Sequence, residues 1–220
     1  MLAEGERQHG IGATIALALI LIASYMLMAA SGDINSMVYR YGLVPKYIVR
    51  GERLYTLLTS MFLHANILHL AANVIMLLVA GGAVERKAGG AKLAAIFFTS
   101  GVLGGYAYAV MHPTSSMPAI GASGGVYGLV AAMMLIDPFA LTIVGFIPLP
   151  AFLGGLVLAG MEVYFIRVGA ARYIAHTAHL AGMAAGGLMA IILEPRKVIR
   201  GLLVLAATLL VIYYIWKLFL

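Results

Sequence analysis

Gly121-Ala122-Ser123-Gly124-Gly125-Val126-Tyr127-Gly128-Leu129-Val130-Ala131-Ala132-Met133-Met134-Leu135-Ile136 is an apolar segment with glycine crowded at one end and Asp137 closing the other. Read as a helix from Ser123, it holds about 14 residues and reaches roughly 21 Å, less than the roughly 30 Å hydrocarbon core of a bilayer. Such a helix cannot face lipid along its whole length. Its start lies below the membrane surface, where irregular backbone survives only if it is packed in protein or lines a water-filled cavity. The stretch therefore predicts a central helix sheathed by others, with a buried cavity at its N-terminal end.

The rest of the chain supplies the sheath. Of its 220 residues, 63% are apolar and 10% charged, against roughly 45–50% and 25% in a soluble domain, which excludes an ordinary water-soluble fold. Spans are expected at Ile11–Ala30, His64–Val84, Ala91–Met111, Ser123–Ile136, Ala151–Arg167, Tyr173–Leu193 and Leu202–Leu220. The head before the first span carries Glu4, Glu6 and Arg7 and does not read as a cleaved signal peptide. The fold class is an all-α polytopic membrane bundle. Residues 1–194 form a six-helix core, and 195–220 add one more transmembrane helix.

Two segments between spans are unusual. From Ser31 to about Leu63, charged residues such as Arg40, Lys46, Arg50 and Arg53 alternate with Tyr39, Tyr41, Tyr47 and Tyr55, the mixture of a structured loop in the headgroup zone. Pro138–Pro150 holds three prolines and an apolar run too short to cross, and reads as an interfacial segment. Lys and Arg are balanced between the two sides, seven against seven, with Arg7 on one side and Arg172 on the other. Discounting the long first loop favours a cytoplasmic N-terminus in a cell membrane. The net charge of +6 is scattered over short loops without a basic stripe. That suits anionic lipid headgroups and excludes a nucleic-acid partner. With no cysteine in the chain, disulfides, thiolate metal sites and a thiol nucleophile are excluded, so a nucleophile must be oxygen or nitrogen.

Polar side chains at membrane depth are costly and point first to function. Ser123, at the start of the short helix between Gly121 and Gly124, faces unpaired backbone amides and is a candidate nucleophile; as a plain alternative it is an N-cap or a packing surface. His179, Gly182 and Gly186 share a helix face, so a glycine-lined partner could approach below the histidine. Against the glycines of the short helix, imidazole and hydroxyl could come within about 3 Å, as general-base activation needs. A histidine bonded to a carbonyl in helix packing is the alternative, also for His176 one turn earlier. His69 and Asn73, at i and i+4, can both donate to an anionic oxygen, and His64 reads as a loop anchor. Asn73, Ser123 and His179 each lie near the start of spans that run in the same direction, so all three fall in one third of the membrane. Glu85, Asp137 and Glu194 sit at span ends and are expected to pair or snorkel there. Glu162 lies deeper and could reach Arg167. No carboxylate is placed to orient His179, so a serine and histidine pair would be a dyad without an acid.

Leu58-Thr-Ser-Met-Phe-Leu-His64, His69-x3-Asn73, Gly81-Gly-Ala-Val-Glu85-Arg86, Gly121-Ala-Ser123-Gly124 and Ala178-His179-x2-Gly182, in that order, resemble the rhomboid family of intramembrane serine proteases over about Leu57–Glu194. The resemblance implies a six-helix core in which Ser123 attacks a peptide carbonyl and His179 is its base. It also implies that His69, Asn73 and the Ser123 amide hold the oxyanion, that Tyr127 packs beneath His179, and that His64 braces the first loop. No metal or organic cofactor is implied, and the partners are transmembrane protein substrates within the lipid bilayer. Many members carry Trp-Arg where this chain has Tyr55-Thr56. Two other readings stand beside this one: a channel or transporter with a buried histidine path, and a metal or haem site built from His64, His69, His176 and His179.

Overall fold

A computed structural model describes residues 9–169 and 174–218. Glu4, Glu6, Arg7, Arg172, Tyr173 and Leu220 lie outside the described residues. Among those described, six helices are long and apolar enough to cross a bilayer, and the protein is an integral multi-pass membrane protein. They are α1 (Gly12–Ala30), the continuous rod Ile67–Ala88, α7 (Gly90–Met111), α9 (Ala151–Val168), α10 (His176–Leu193) and α11 (Pro195–Leu218). The rod joins α5 (Ile67–Met76) to α6 (Gly82–Ala88) through one wide π turn at Leu77–Gly81.

The short helix α8 (Ser123–Ile136) is at the centre, with ten of its 14 residues buried. Lipid tails are as apolar as leucine, so close backbone packing rather than exclusion of water holds such helices together. Glycine permits it here. A Cβ on Gly182 would run into the Gly124 carbonyl, and one on Gly186 into the Gly128 carbonyl. From α7, a Cβ on Gly104 would sit 2.6 Å from the Ala178 carbonyl of α10. The three helices α7, α8 and α10 thus meet backbone to backbone.

The second span starts at Ile67 rather than His64, because the Asn66 side chain accepts from the His69 amide and caps the helix there. The last helix starts at Pro195, not Leu202. Proline at a first helical position loses no hydrogen bond, and the turn is fastened by Lys197, which pairs with Glu194 at 3.2 Å and donates to the Lys87 carbonyl. Between α8 and α9 the interfacial segment is a hairpin, β1 (Leu141–Val144) against β2 (Ile147–Pro150), antiparallel with Val144 opposite Ile147. Gly145, at φ 64°, takes the first place in its two-residue turn.

The long first loop folds as α2 (Ile34–Tyr41), α3 (Pro45–Ile48) and α4 (Thr56–Thr59). Arg53 donates to the Tyr39 and Arg40 carbonyls at 2.6 and 2.5 Å, and the Tyr55 hydroxyl to Arg40 O at 2.9 Å. These are last-turn carbonyls of α2, which a cation satisfies well. Arg53 and Tyr55 therefore fasten the loop. The loop also grips the approach to α8. Leu43 and Ala119 exchange backbone hydrogen bonds, and the Gly121 amide donates to Ser60 O at 2.9 Å.

Of the span-end acids, Asp137 pairs with Lys87 at 3.3 Å and Glu194 with Lys92 at 2.6 Å. Among the described residues Glu85 has no Lys or Arg partner, and it does not snorkel. It is 4% exposed and accepts from the Ala13 amide, the Thr14 amide and the Thr14 hydroxyl at 2.9, 2.7 and 2.6 Å. An anion there satisfies orphan donors at the N-terminus of α1 and complements its dipole.

Candidate active site

Ser123 is the first residue of α8, and the Ala122, Ser123 and Gly124 backbone turns sharply after Gly121, whose φ is 123°. A side chain at Gly121 would be strained by that φ, and its Cβ would lie 2.8 Å from the His69 ring. His179 stands in the first turn of α10. Because the glycine faces of α8 and α10 touch, its Nε2 lies 2.7 Å from Ser123 Oγ, within ordinary hydrogen-bond distance. The Tyr127 ring, one turn below Ser123, stacks on the imidazole at a centroid distance of 4.4 Å and an interplanar angle of 6°.

Across from this pair stand His69 and Asn73 of α5. The Ala65 amide points at His69 Nδ1 at 3.4 Å, which assigns the ring proton to Nε2 and makes that nitrogen a donor. Asn73 Nδ2 donates to His69 O at 2.9 Å. Its second amide hydrogen is left for another acceptor. Ser123, Tyr127, His179, His69 and Asn73 all line one cavity of about 510 Å³, closed on other sides by Met117–Ile120, Leu158 and Ile174. Its depth matches the pocket expected at the start of the short helix. The first amides of α8 have no partner within the helix.

His64 is fully buried beneath the loop, edge-on to His69 with ring centroids 5.1 Å apart. Among the described residues its ring nitrogens meet no partner at full hydrogen-bond geometry, and its bracing contact is the packing against His69. Burial first, and then His69 beside it, push its imidazole down to about 4, so it is neutral at neutral pH.

One residue was misread from sequence. Glu162 of α9 is 5% exposed and does not reach toward Arg167, which is exposed. Its Oε1 accepts from His179 Nδ1 at 2.9 Å and from the Tyr127 hydroxyl at 2.5 Å, and its Oε2 from His176 Nδ1 at 2.5 Å. A carboxylate is therefore in contact with His179, contrary to the expectation of a histidine without one. The missed signal was depth. α9 runs opposite to α8 and α10, so a residue six places before its C-terminal end lies at the level of residues near the start of the other two. Glu162, His176 and His179 are also, among the described residues, the group whose ligand-type atoms fall within 4.8 Å of one another, and they could hold a divalent cation. The four histidines of the metal or haem reading do not gather into one set. His64 and His69 pair with each other on the far side of the cavity.

Residues 51–196, more than half of the chain, match the Rhomboid domain family. The chain belongs to the rhomboid family. RHOMBOID-like protein 12, mitochondrial, of Arabidopsis thaliana is 32% identical over 153 residues, covering 61% of this chain and 45% of that protein. Rhomboid protease GluP of Bacillus subtilis (strain 168) is 30% identical over 121 residues, 54% of this chain and 23% of that protein. Inactive rhomboid protein 2 of Homo sapiens is 28% identical over 144 residues, 66% and 16% respectively. This rhomboid thus spans less than half the length of these relatives. Since the family holds proteins named proteases and proteins named inactive, its chemistry rests on its own residues.

Proposed function

We propose that this rhomboid is an intramembrane serine endopeptidase that cleaves transmembrane segments of other membrane proteins. The observation that carries the reading is the 2.7 Å contact between Ser123 Oγ and His179 Nε2 at the wall of a cavity within membrane depth. In the reaction, Ser123 Oγ attacks the scissile carbonyl carbon as its proton passes to His179 Nε2. The carbonyl oxygen takes the negative charge and is held by the Ser123 amide, His69 Nε2–H and the second Asn73 amide hydrogen. When the C–N bond breaks, His179 returns the proton to the leaving amine. A water, deprotonated by the same imidazole, then releases the acyl group. A substrate helix must unwind locally at the cut, because its amide is otherwise locked in hydrogen bonds; helix-breaking and small residues near the cut favour cleavage. The membrane is assigned as a cell membrane with a cytoplasmic N-terminus, which puts the cavity on the outer side.

Labelling with a serine-directed fluorophosphonate in detergent tests the reading. Wild type takes the label and Ser123→Ala does not; equal labelling of both proteins defeats it. A finer expectation concerns the oxyanion donors. Asn73→Ala and His69→Ala each lower kcat on a fluorogenic transmembrane peptide by about 10²- to 10³-fold with KM nearly unchanged. Loss confined to KM would show that these groups bind the ground state only.

A further inference from the structure

Glu162 is a buried anion that the proposed dyad does not use. A carboxylate at membrane depth is tolerated only when it is well hydrogen-bonded. This one accepts three bonds, each from a group able to donate: the Tyr127 hydroxyl, His176 Nδ1 and His179 Nδ1. Three donors around two oxygens fit the ionised carboxylate, which is acceptor-only. The consequence for His179 is specific. If its Nδ1 carries the proton given to Glu162, its Nε2 is the unprotonated nitrogen, and that nitrogen faces Ser123 Oγ. The stacked Tyr127 ring holds the imidazole plane, and Glu162 holds its rotation within the plane. His176 fixes the carboxylate in turn, with its own ring stacked against Phe165 at 5.3 Å.

Resting on the serine-protease reading, we infer that Glu162 is a positioning residue that completes a Ser123–His179–Glu162 triad, with the acid supplied by the neighbouring helix α9 and itself steadied by His176 and Tyr127. Glu162 stays ionised throughout. It fixes the tautomer and stabilises the imidazolium that forms when His179 takes the serine proton. Among the described residues, the titratable groups that face His179 are Tyr127 from α8, His176 from its own helix, His69 from α5 and Glu162 from α9, and Glu162 is the carboxylate bonded to it.

A purely mechanical role is the competing account, since Glu162 also ties α9 to α8 and α10. Separate measurements of kcat and KM, beside the tautomer of His179, distinguish the two. Glu162→Gln keeps the shape and removes the charge, and is expected to lower kcat about 10²- to 10⁴-fold with KM within a few-fold. Glu162→Asp, which restores the charge on a shorter arm, recovers part of the loss. A folded Glu162→Gln with wild-type kcat overturns the inference. Nitrogen-15 NMR of the histidines in wild type, with His179 assigned by difference against His179→Gln, gives a second readout that needs no folded Glu162 variant. The expected signal is the Nδ1–H tautomer, and an Nε2–H tautomer at neutral pH overturns the inference. Cleavage retained by Ser123→Ala would remove the parent reading, whereas an inactive Ser123→Ala beside an unimpaired Glu162→Gln removes the triad alone.

Discussion

Ser123→Ala and His179→Ala each cut hydrolysis of a transmembrane substrate in proteoliposomes by about 10³- to 10⁶-fold, and the double variant is no worse than either single one. Groups that act as a unit lose their whole joint effect when one is removed, so the losses do not add. Alanine at 123 removes the attacking oxygen itself. Alanine at 179 leaves that oxygen with no group to take its proton, and a neutral serine hydroxyl is a poor nucleophile. Neither change disturbs the helix contacts, which run through glycine backbones below the pair. Helical content should therefore stay close to wild type in both, and the unfolding temperature in Ser123→Ala; His179→Ala also takes one of three donors from the buried Glu162 and is expected to melt lower. More than a tenth of normal turnover in Ser123→Ala would show that cleavage proceeds through another nucleophile. Losses that simply multiply in the double variant would show that the two residues work independently.

The second large effect is on the fold and reaches the site through it. Gly182→Ala places a methyl against the Gly124 carbonyl, a backbone atom that no rotamer change can move aside. Either α10 retreats from α8 or the chain bears the clash; overpacking of this kind costs about 1–3 kcal/mol and more where backbone must yield. A retreat of 1 Å also pulls His179 from Ser123, which alone costs about 100-fold in rate. Gly160→Ala is the matched control, because nothing lies within 4 Å of its added carbon. Alanine is the better helix former, so that variant should be as stable as wild type or slightly more so. Thermal unfolding in one detergent, with activity measured on the same samples, gives the order. Gly182→Ala as stable as Gly160→Ala would mean that α8 and α10 do not pack through these glycines.

Much of this was legible before any coordinates. The short span with glycine at its start implied a sheathed helix and a cavity, and α8 occupies the stretch read for it, Ser123–Ile136. Counting residues from the starts of spans that run the same way placed Asn73, Ser123 and His179 at one depth, and all three line one cavity. The same count, taken from the far end of the oppositely directed α9, would have added Glu162, but local spacing to Arg167 offered a nearer partner. Glu85 was misjudged for a related reason: its partners are main-chain amides at the start of α1, more than 70 residues away in sequence, and amides leave no mark on a charge pattern. The hairpin escaped because its strands lack the alternation of a half-buried strand, and Pro148 and Pro150 argue locally against pairing. His64 pointed to a loop anchor, and the fold buries it edge-on against the His69 ring.

The π turn at Leu77–Gly81 has a geometric effect that reaches both ends of its rod. In an unbroken α-helix, successive side chains are about 100° apart, so Asn73 and Glu85 would point in directions about 120° apart. Absorbing one surplus residue in the wide turn cuts that offset to about 20°, and both side chains aim inward, 5% and 4% exposed. Winding the same residues as a regular α-helix would restore the offset of about 120° and swing one of the two out toward lipid. Either the oxyanion donor or the clasp on α1 would then be lost, so the irregular turn is what lets one rod serve both.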